Sequence, residues 1–213
     1  KTRIFIQLVE KDVQNLNNGL LLPVVTSIVC NTADFANSVD PCFGELLLNI
    51  GTPTTPKGAV ASVGPSDLHT STMFNNAIFS GFYNSVLTED IRSFGVAVLR
   101  GKQELYRNYP LIQGPGEYVE FYFHVYNILG DPSLCMWTGV PLNISLAAEI
   151  PAEISLGTNY LDVQVNNLEG GIVTAVKEGE FFEIATIENG VGTLFLSPET
   201  TGNFTVTVSK PDY

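Results

Sequence analysis

The sequence predicts two folded parts, a layered α/β unit followed from about residue 140 by a small all-β sandwich. Three observations lead there. Between residues 20 and 137 short apolar runs alternate with helix-like segments, the pattern of strands covered on both faces by helices. From Gly139 onward the hydrophobic period becomes two, which is the period of half-buried strands. Gly139 and Pro141 interrupt regular structure where the period changes. The two parts are accordingly placed at residues 1–139 and 140–213.

Residues 20–29 (LLLPVVTSIV) form a continuous apolar run that turns β-branched towards its end, as expected of a strand buried on both faces of a mostly parallel sheet. Residues 42–50 (CFGELLLNI) follow Asp40-Pro41, read as the N-cap and first position of a short helix. Residues 51–56 (GTPTTP) break that helix, and 58–63 (GAVASV) read as a second buried strand ending at Gly64-Pro65. Three helices are expected next. In 72–87, Phe74, Ile78, Phe79 and Phe82 share one face, and in 91–106 Phe94, Val98, Leu99 and Leu105 do so. The third, 117–129, is aromatic nearly throughout and is expected to be largely buried. Gly130-Asp131-Pro132 stops it, and 133–137 reads as a final short strand.

Beyond the boundary, alternation marks strands at 143–147, 160–165, 172–176, 181–186, 191–196 and 204–209, separated by turn signals such as Asn166-Asn167 and Glu188-Asn189-Gly190. Six or seven short strands in this length predict a β-sandwich of immunoglobulin-like type without the intersheet disulfide.

Composition narrows the function classes. Hydrophobic residues make up 45% of the 213 and charged residues 15%, enough apolar surface for a core and against disorder. No run of about 18 apolar residues is present, so no membrane span is expected. The net charge is −12, and residues 140–213 carry two thirds of it, since only Lys177 and Lys210 offset ten acids there. Such a surface repels phosphate backbones, and nucleic acid is not an expected partner. Calcium is a permissible ligand for it, although no calcium-loop motif supports one. No other cofactor is expected. Three cysteines, Cys30, Cys42 and Cys135, make neither a disulfide framework nor a zinc site. With His69 and His124 the only histidines, multi-histidine metal chemistry has little basis.

Cys30 follows a predicted buried strand and opens the polar loop N-T-A-D-F at 31–35. In open α/β sheets ligands bind in the crevice beyond the carboxyl ends of the strands. A thiol there is partly exposed, beside backbone N–H groups able to hold a developing oxyanion, which makes Cys30 the candidate nucleophile. The competing reading is a buried core cysteine.

The flanking residues weigh on that choice. P-V-V-T-S-I-V-C ending at Cys30, then Asp34-Phe35, then P-C-F-G-E at 41–45 resembles the nucleophile region of the gingipain-type cysteine peptidases. The likeness extends through 58–64 with Pro65-Ser66, S-G-F-Y at 80–83, Phe94-Gly95, Gly101-Lys102 and L-G-D-P-S-L at 129–134, and the terminal sandwich resembles the immunoglobulin-like domain that follows the catalytic domain in these enzymes. The interval from Cys30 to Cys42 is one residue longer than the family pattern, as an insertion near Asn37 would make it.

The resemblance implies a caspase-like layered catalytic domain in a secreted or cell-surface protein of bacterial or archaeal type, acting on a protein or peptide substrate. It implies Cys30 as nucleophile, its own N–H in the oxyanion hole, and Cys42 as a structural residue. His69, in the loop S-D-L-H-T at 66–70, reads as a substrate-pocket wall together with Ser66 and Asp67, as a plain loop residue, or as a partner of the thiol. His124 reads as a core histidine. In the family the catalytic histidine comes from an H-G pair upstream of the nucleophile strand, and no histidine precedes Cys30 here. Residues 1–7 are expected to begin just beyond that pair. The general base is thus expected from a segment of the polypeptide upstream of Lys1, and the chain alone is expected to be inactive. The alternative is a non-catalytic pseudopeptidase or surface-display module that binds a protein partner.

Overall fold

The computed structural model describes residues 10–213. They form two compact units, one ending at Met136 and the other spanning Trp137–Tyr213. The expectation about residues 1–7 lies outside the described residues.

The first unit runs α1 (Glu10–Gln14), β1 (Val24–Thr26), α2 (Phe43–Asn49), β2 (Ala61–Pro65), α3 (Thr72–Leu87), α4 (Phe94–Asn108), α5 (Tyr118–Val125) and β3 (Tyr126–Leu129). Its sheet has the order β1-β2-β3. The β2 residues Ala61 and Val63 pack with Phe74, Ile78, Phe82, Phe94, Leu105 and Tyr122 of α3, α4 and α5. Ala59, just before β2, joins Val13 and Leu47 of α1 and α2 in a second cluster, with Val25 of β1 against it. Helices thus cover both faces, and α/β layering is what the sequence led us to expect.

Several expectations need correction. Among the described residues the sheet is mixed rather than mostly parallel: β1 and β2 run parallel, but β3 is antiparallel to β2. Alternating strands and helices carry no direction for a strand entered straight from a helix, and α5 delivers Tyr126 opposite Pro65 with the chain running back along β2. The apolar run at 20–29 is not buried on both faces. Leu20 and Leu21 are 81% and 83% exposed, and pairing starts only after Pro23, which has no N–H to offer a ladder. The helix expected at 117–129 ends at Val125, because the β-favouring Y-N-I-L segment pairs with β2. Lys102 holds that junction by donating from Nζ to the carbonyls of Phe123 (2.8 Å) and Tyr126 (2.9 Å). The strand expected at 133–137 is a single bridge between Ser93 and Cys135. Leu99 is exposed on α4, and His124 is exposed on α5 rather than sitting in the core. The α2 N-cap is Cys42, not Asp40: its N–H donates to the Glu45 carboxylate at 2.9 Å.

The second unit contains β4 (Tyr160–Gln164), β5 (Ile172–Lys177), β6 (Phe181–Thr186), β7 (Val191–Phe195) and β8 (Thr205–Ser209). They form two antiparallel sheets, β4-β7 and β6-β5-β8. Leu161, Val163, Val173, Ala175, Phe181 and Leu194 from both sheets share one core. Residues 143–147 are not a strand and keep one bridge, from Leu146 to Val165. Asn189 and Gly190, at φ 52° and 78°, make the tight turn that the Asn-Gly pair foretells.

One ion pair of this unit sets a pH test. Lys177 Nζ lies 2.6 Å from Glu180 Oε2 and donates to the Thr200 carbonyl and hydroxyl. The Lys177 ammonium, followed by the Thr200 hydroxyl, holds the Glu180 carboxyl down to about 2. This value lies below that of the unfolded chain, so the contribution is present above about pH 4.3 and is lost as pH falls through about 2. Glu180→Gln is expected to flatten the acid limb of stability in that window, read as amide exchange in β5 and β6. Identical acid limbs in the two proteins would count against the assignment.

Candidate active site

β1 and β2 are parallel neighbours, so the loops leaving their carboxyl ends lie side by side. The first carries Cys30 and the second runs from Ser66 to Ser71. Each is tied to the sheet. Ser27 N–H donates to Val63 O (2.8 Å), and Ala33 N–H donates to Pro65 O (3.1 Å). Ser66 donates its N–H and hydroxyl to Val125 O at 2.8 and 3.2 Å. Between the two anchors of the first loop the chain bends sharply at Asn31, with φ 60°, a left-handed conformation that asparagine tolerates. Helix α2 supports the bend from behind, where Gly44 N–H donates to Thr32 O (2.8 Å). A Cβ on Gly44 would lie 3.0 Å from that carbonyl and 2.6 Å from the Leu129 side chain, so only glycine allows this approach.

Cys30 is half-buried at the bend. Its sulfur lies 3.1 Å from the Thr70 hydroxyl and 3.8 Å from the Thr70 carbonyl. Those are its hydrogen-bond partners among the described residues, and neither imidazole is one of them. Cys42 is buried, its thiol pushed up by desolvation first and by the Glu45 carboxylate as well. Cys135 is exposed, although the sequence places it in a packed strand. Among the described residues that strand is reduced to one bridge, and the thiol is left exposed.

His69 and Asp67 meet in the second loop. The Asp67 carboxylate accepts from the His69 N–H at 2.7 Å and lies 2.8 Å from Nδ1. These bonds, the backbone one first, hold the Asp67 carboxyl below its ordinary range. The side chain of His69 is 87% exposed, so the ring is oriented by a carboxylate yet projects into solvent. Ser66, Asp67, His69 and Thr70 therefore occupy one loop beside Cys30, whereas His124 stands apart on α5.

Sequence reasoning missed four residues here. Thr70 is the partner of the thiol. Asn75 is 2% exposed on α3, where its Nδ2 donates to Ile28 O (3.1 Å) and its Oδ1 accepts from the Tyr126 hydroxyl (2.7 Å). Tyr122 donates its hydroxyl to Ser71 O (3.1 Å) and accepts the Ser71 N–H. An asparagine next to Phe74 on an apolar helix face was a visible signal. The tyrosines were hidden in a run of aromatics.

Among the described residues, no group of three or more His, Cys, Asp or Glu is placed to hold a metal ion. No helix among them is long and apolar enough to cross a membrane.

The Cys30 thiol thus lies in a loop beyond the carboxyl ends of the sheet strands, the side on which open α/β sheets bind ligands. The comparisons with known proteins place the chain in a family. The family model for peptidase family C25 matches residues 3–137, and the chain belongs to that family. Gingipain R1 of Porphyromonas gingivalis is 28% identical over 192 residues, covering 87% of this chain and 18% of the relative. The crystal structure of the Arg-specific cysteine proteinase gingipain R is similar with a TM-score of 0.72 at 25% identity, over 95% of this chain and 46% of that one. The complex of the pro- and mature domains of the Porphyromonas gingivalis enzyme matches with a TM-score of 0.71 at 25% identity, over 95% and 47%. This chain thus spans less than half of each of these relatives.

Proposed function

We propose that residues 1–139 are the nucleophile-bearing part of the catalytic domain of a secreted or cell-surface cysteine endopeptidase, and that 140–213 are an immunoglobulin-like domain following it. The observation that carries this reading is the half-buried Cys30 in the loop leaving β1, whose sulfur meets Thr70 in the neighbouring loop of Ser66, Asp67 and His69. Cys30 as thiolate attacks the scissile carbonyl carbon of a peptide, the C–N bond breaks, and the departing amine takes a proton. Water then hydrolyses the thioester, releasing the acid and restoring the thiol. The Cys30 N–H faces the developing oxyanion, and Ser66, Asp67 and His69 wall the substrate side. A histidine from upstream of Lys1 supplies the base.

One observation favours the second reading, a pseudopeptidase module that binds a protein partner: no imidazole among the described residues reaches the Cys30 sulfur. Thiol labelling separates a nucleophile from an inert cysteine. Because Cys135 is exposed, the test uses Cys135→Ser, in which Cys30 is expected to alkylate well before Cys42 under native conditions, read by peptide mapping. Equal labelling of Cys30 and Cys42 would defeat the nucleophile assignment.

A further inference from the structure

Beneath the two loops lies a polar brace that the peptidase reading does not use. Tyr122 is the last buried residue of α5 and Tyr126 the first residue of β3, and their rings stack with centroids 5.8 Å apart and planes 20° from parallel. Their hydroxyls serve different loops, one directly and one through Asn75. Tyr126 donates to Asn75 Oδ1, and Asn75 Nδ2 donates onward to Ile28 O, two residues before Cys30. Tyr122 grips both backbone groups of Ser71, the residue after Thr70. The hydroxyl partner is thus held one residue away by the Tyr122 hydroxyl directly, and the thiol two residues away by the Tyr126 hydroxyl acting through Asn75.

We propose that Asn75, Tyr122 and Tyr126 are positioning residues that fix the Cys30 sulfur against the Thr70 hydroxyl. The inference rests on the assignment of Cys30 as nucleophile. Asn75 and Tyr126 are each 2% exposed and Tyr122 is fully buried. Polar groups placed that deep are costly unless bonded, and here the bonds are spent on the two loops. Asn75 uses both ends of its amide, one on the tyrosine and one on the nucleophile loop, so removing either tyrosine or amide frees a carbonyl at Ile28 or leaves a buried group unpaired. A hydroxyl 3.1 Å from sulfur donates to a thiolate, and that bond survives only while both loops keep their places.

The experiment compares Cys30 alkylation rates across pH in the Cys135→Ser chain, with Tyr126→Phe, Asn75→Ala and Tyr109→Phe added singly. Tyr126→Phe keeps the ring and removes only the brace hydroxyl. Tyr109→Phe removes a hydroxyl that reaches Met73 O, at 3.5 Å, outside the brace. Tyr126→Phe and Asn75→Ala are expected to slow labelling at neutral pH several-fold and to move the profile to more alkaline pH. Tyr109→Phe is expected to leave it in place. Thr70→Val should reproduce the shift and Thr70→Ser should not. Tyr126→Phe guards against Asn75→Ala failing to fold. If the parent labels Cys30 first but the Tyr126→Phe profile superimposes on it, the brace is refuted while the nucleophile stands. If the parent labels Cys30 no faster than Cys42, the nucleophile assignment falls and the brace with it.

Discussion

Assayed by itself, this chain is expected to show no peptidase turnover even though its Cys30 alkylates. An unassisted thiol is only a few per cent thiolate at neutral pH. Acid–base assistance to the thiol and to the leaving amine contributes roughly 10²–10⁴-fold. Among the described residues the Cys30 sulfur meets only the Thr70 hydroxyl and carbonyl, which hold the thiol but cannot shuttle its proton at neutral pH. His69 is the local contender. It already has the orienting carboxylate of Asp67, and a loop movement that brought Nε2 to the sulfur would complete a Cys–His–Asp set. The expected result is no cleavage of a mixed peptide library by the chain, and recovery when a polypeptide including the upstream segment is used. Turnover by the chain alone that vanishes in His69→Ala would overturn this and make His69 the base.

What the sequence made legible, and what it hid, follows from how each signal arises. Helix α3 was read to the residue because its buried phenylalanines recur at helical spacing from Phe74 to Phe82. Cys30 was legible as a candidate because a strand end followed by a polar loop is a local pattern. Strand β3 was hidden, since Y-N-I-L follows Val125 without a turn residue and only pairing with β2 turns it extended. The exposure of Cys135 was hidden for the same reason: the apolar run at 134–137 looks like a strand, but among the described residues no neighbour offers it a ladder beyond Ser93. Thr70 escaped because a contact across two loops, forty residues apart in sequence, leaves no periodic trace. The turn at Asn189 and Gly190, by contrast, carries its own conformational requirement in the Asn-Gly pair.

Gly101→Val is expected to cause the largest loss of stability of any single change argued for this chain. Helices α3 and α4 cross at a pair of glycines. A Cβ on Gly101 would lie 2.4 Å from the Ile78 carbonyl oxygen, and one on Gly81 would lie 2.5 Å from the Glu104 Cβ and 3.0 Å from the Gly101 Cα. The obstacle at Gly101 is backbone, which cannot rotate away as a side chain can. A β-branched residue must therefore push the helices apart at the contact that packs Ile78, Phe82, Phe94 and Leu105 into one cluster. Overpacking of a filled core costs typically 1–3 kcal/mol and occasionally more, and separation of the helices adds lost burial, so about 3 kcal/mol or more is expected. The strain also reaches the site, because Asn75 is carried on α3 and Lys102, next to Gly101, holds the carbonyls of Phe123 and Tyr126. All helices among the described residues lie in the first unit, so thermal unfolding followed by helical dichroism reports on it selectively. The expected outcome is a lowered helical transition with faster labelling of the buried Cys42, while amide exchange in β5 and β6 stays unchanged. A variant that melts with the parent, with Cys42 still protected, would mean that the two helices separate at little cost and that the glycine crossing is not what holds α3 in place.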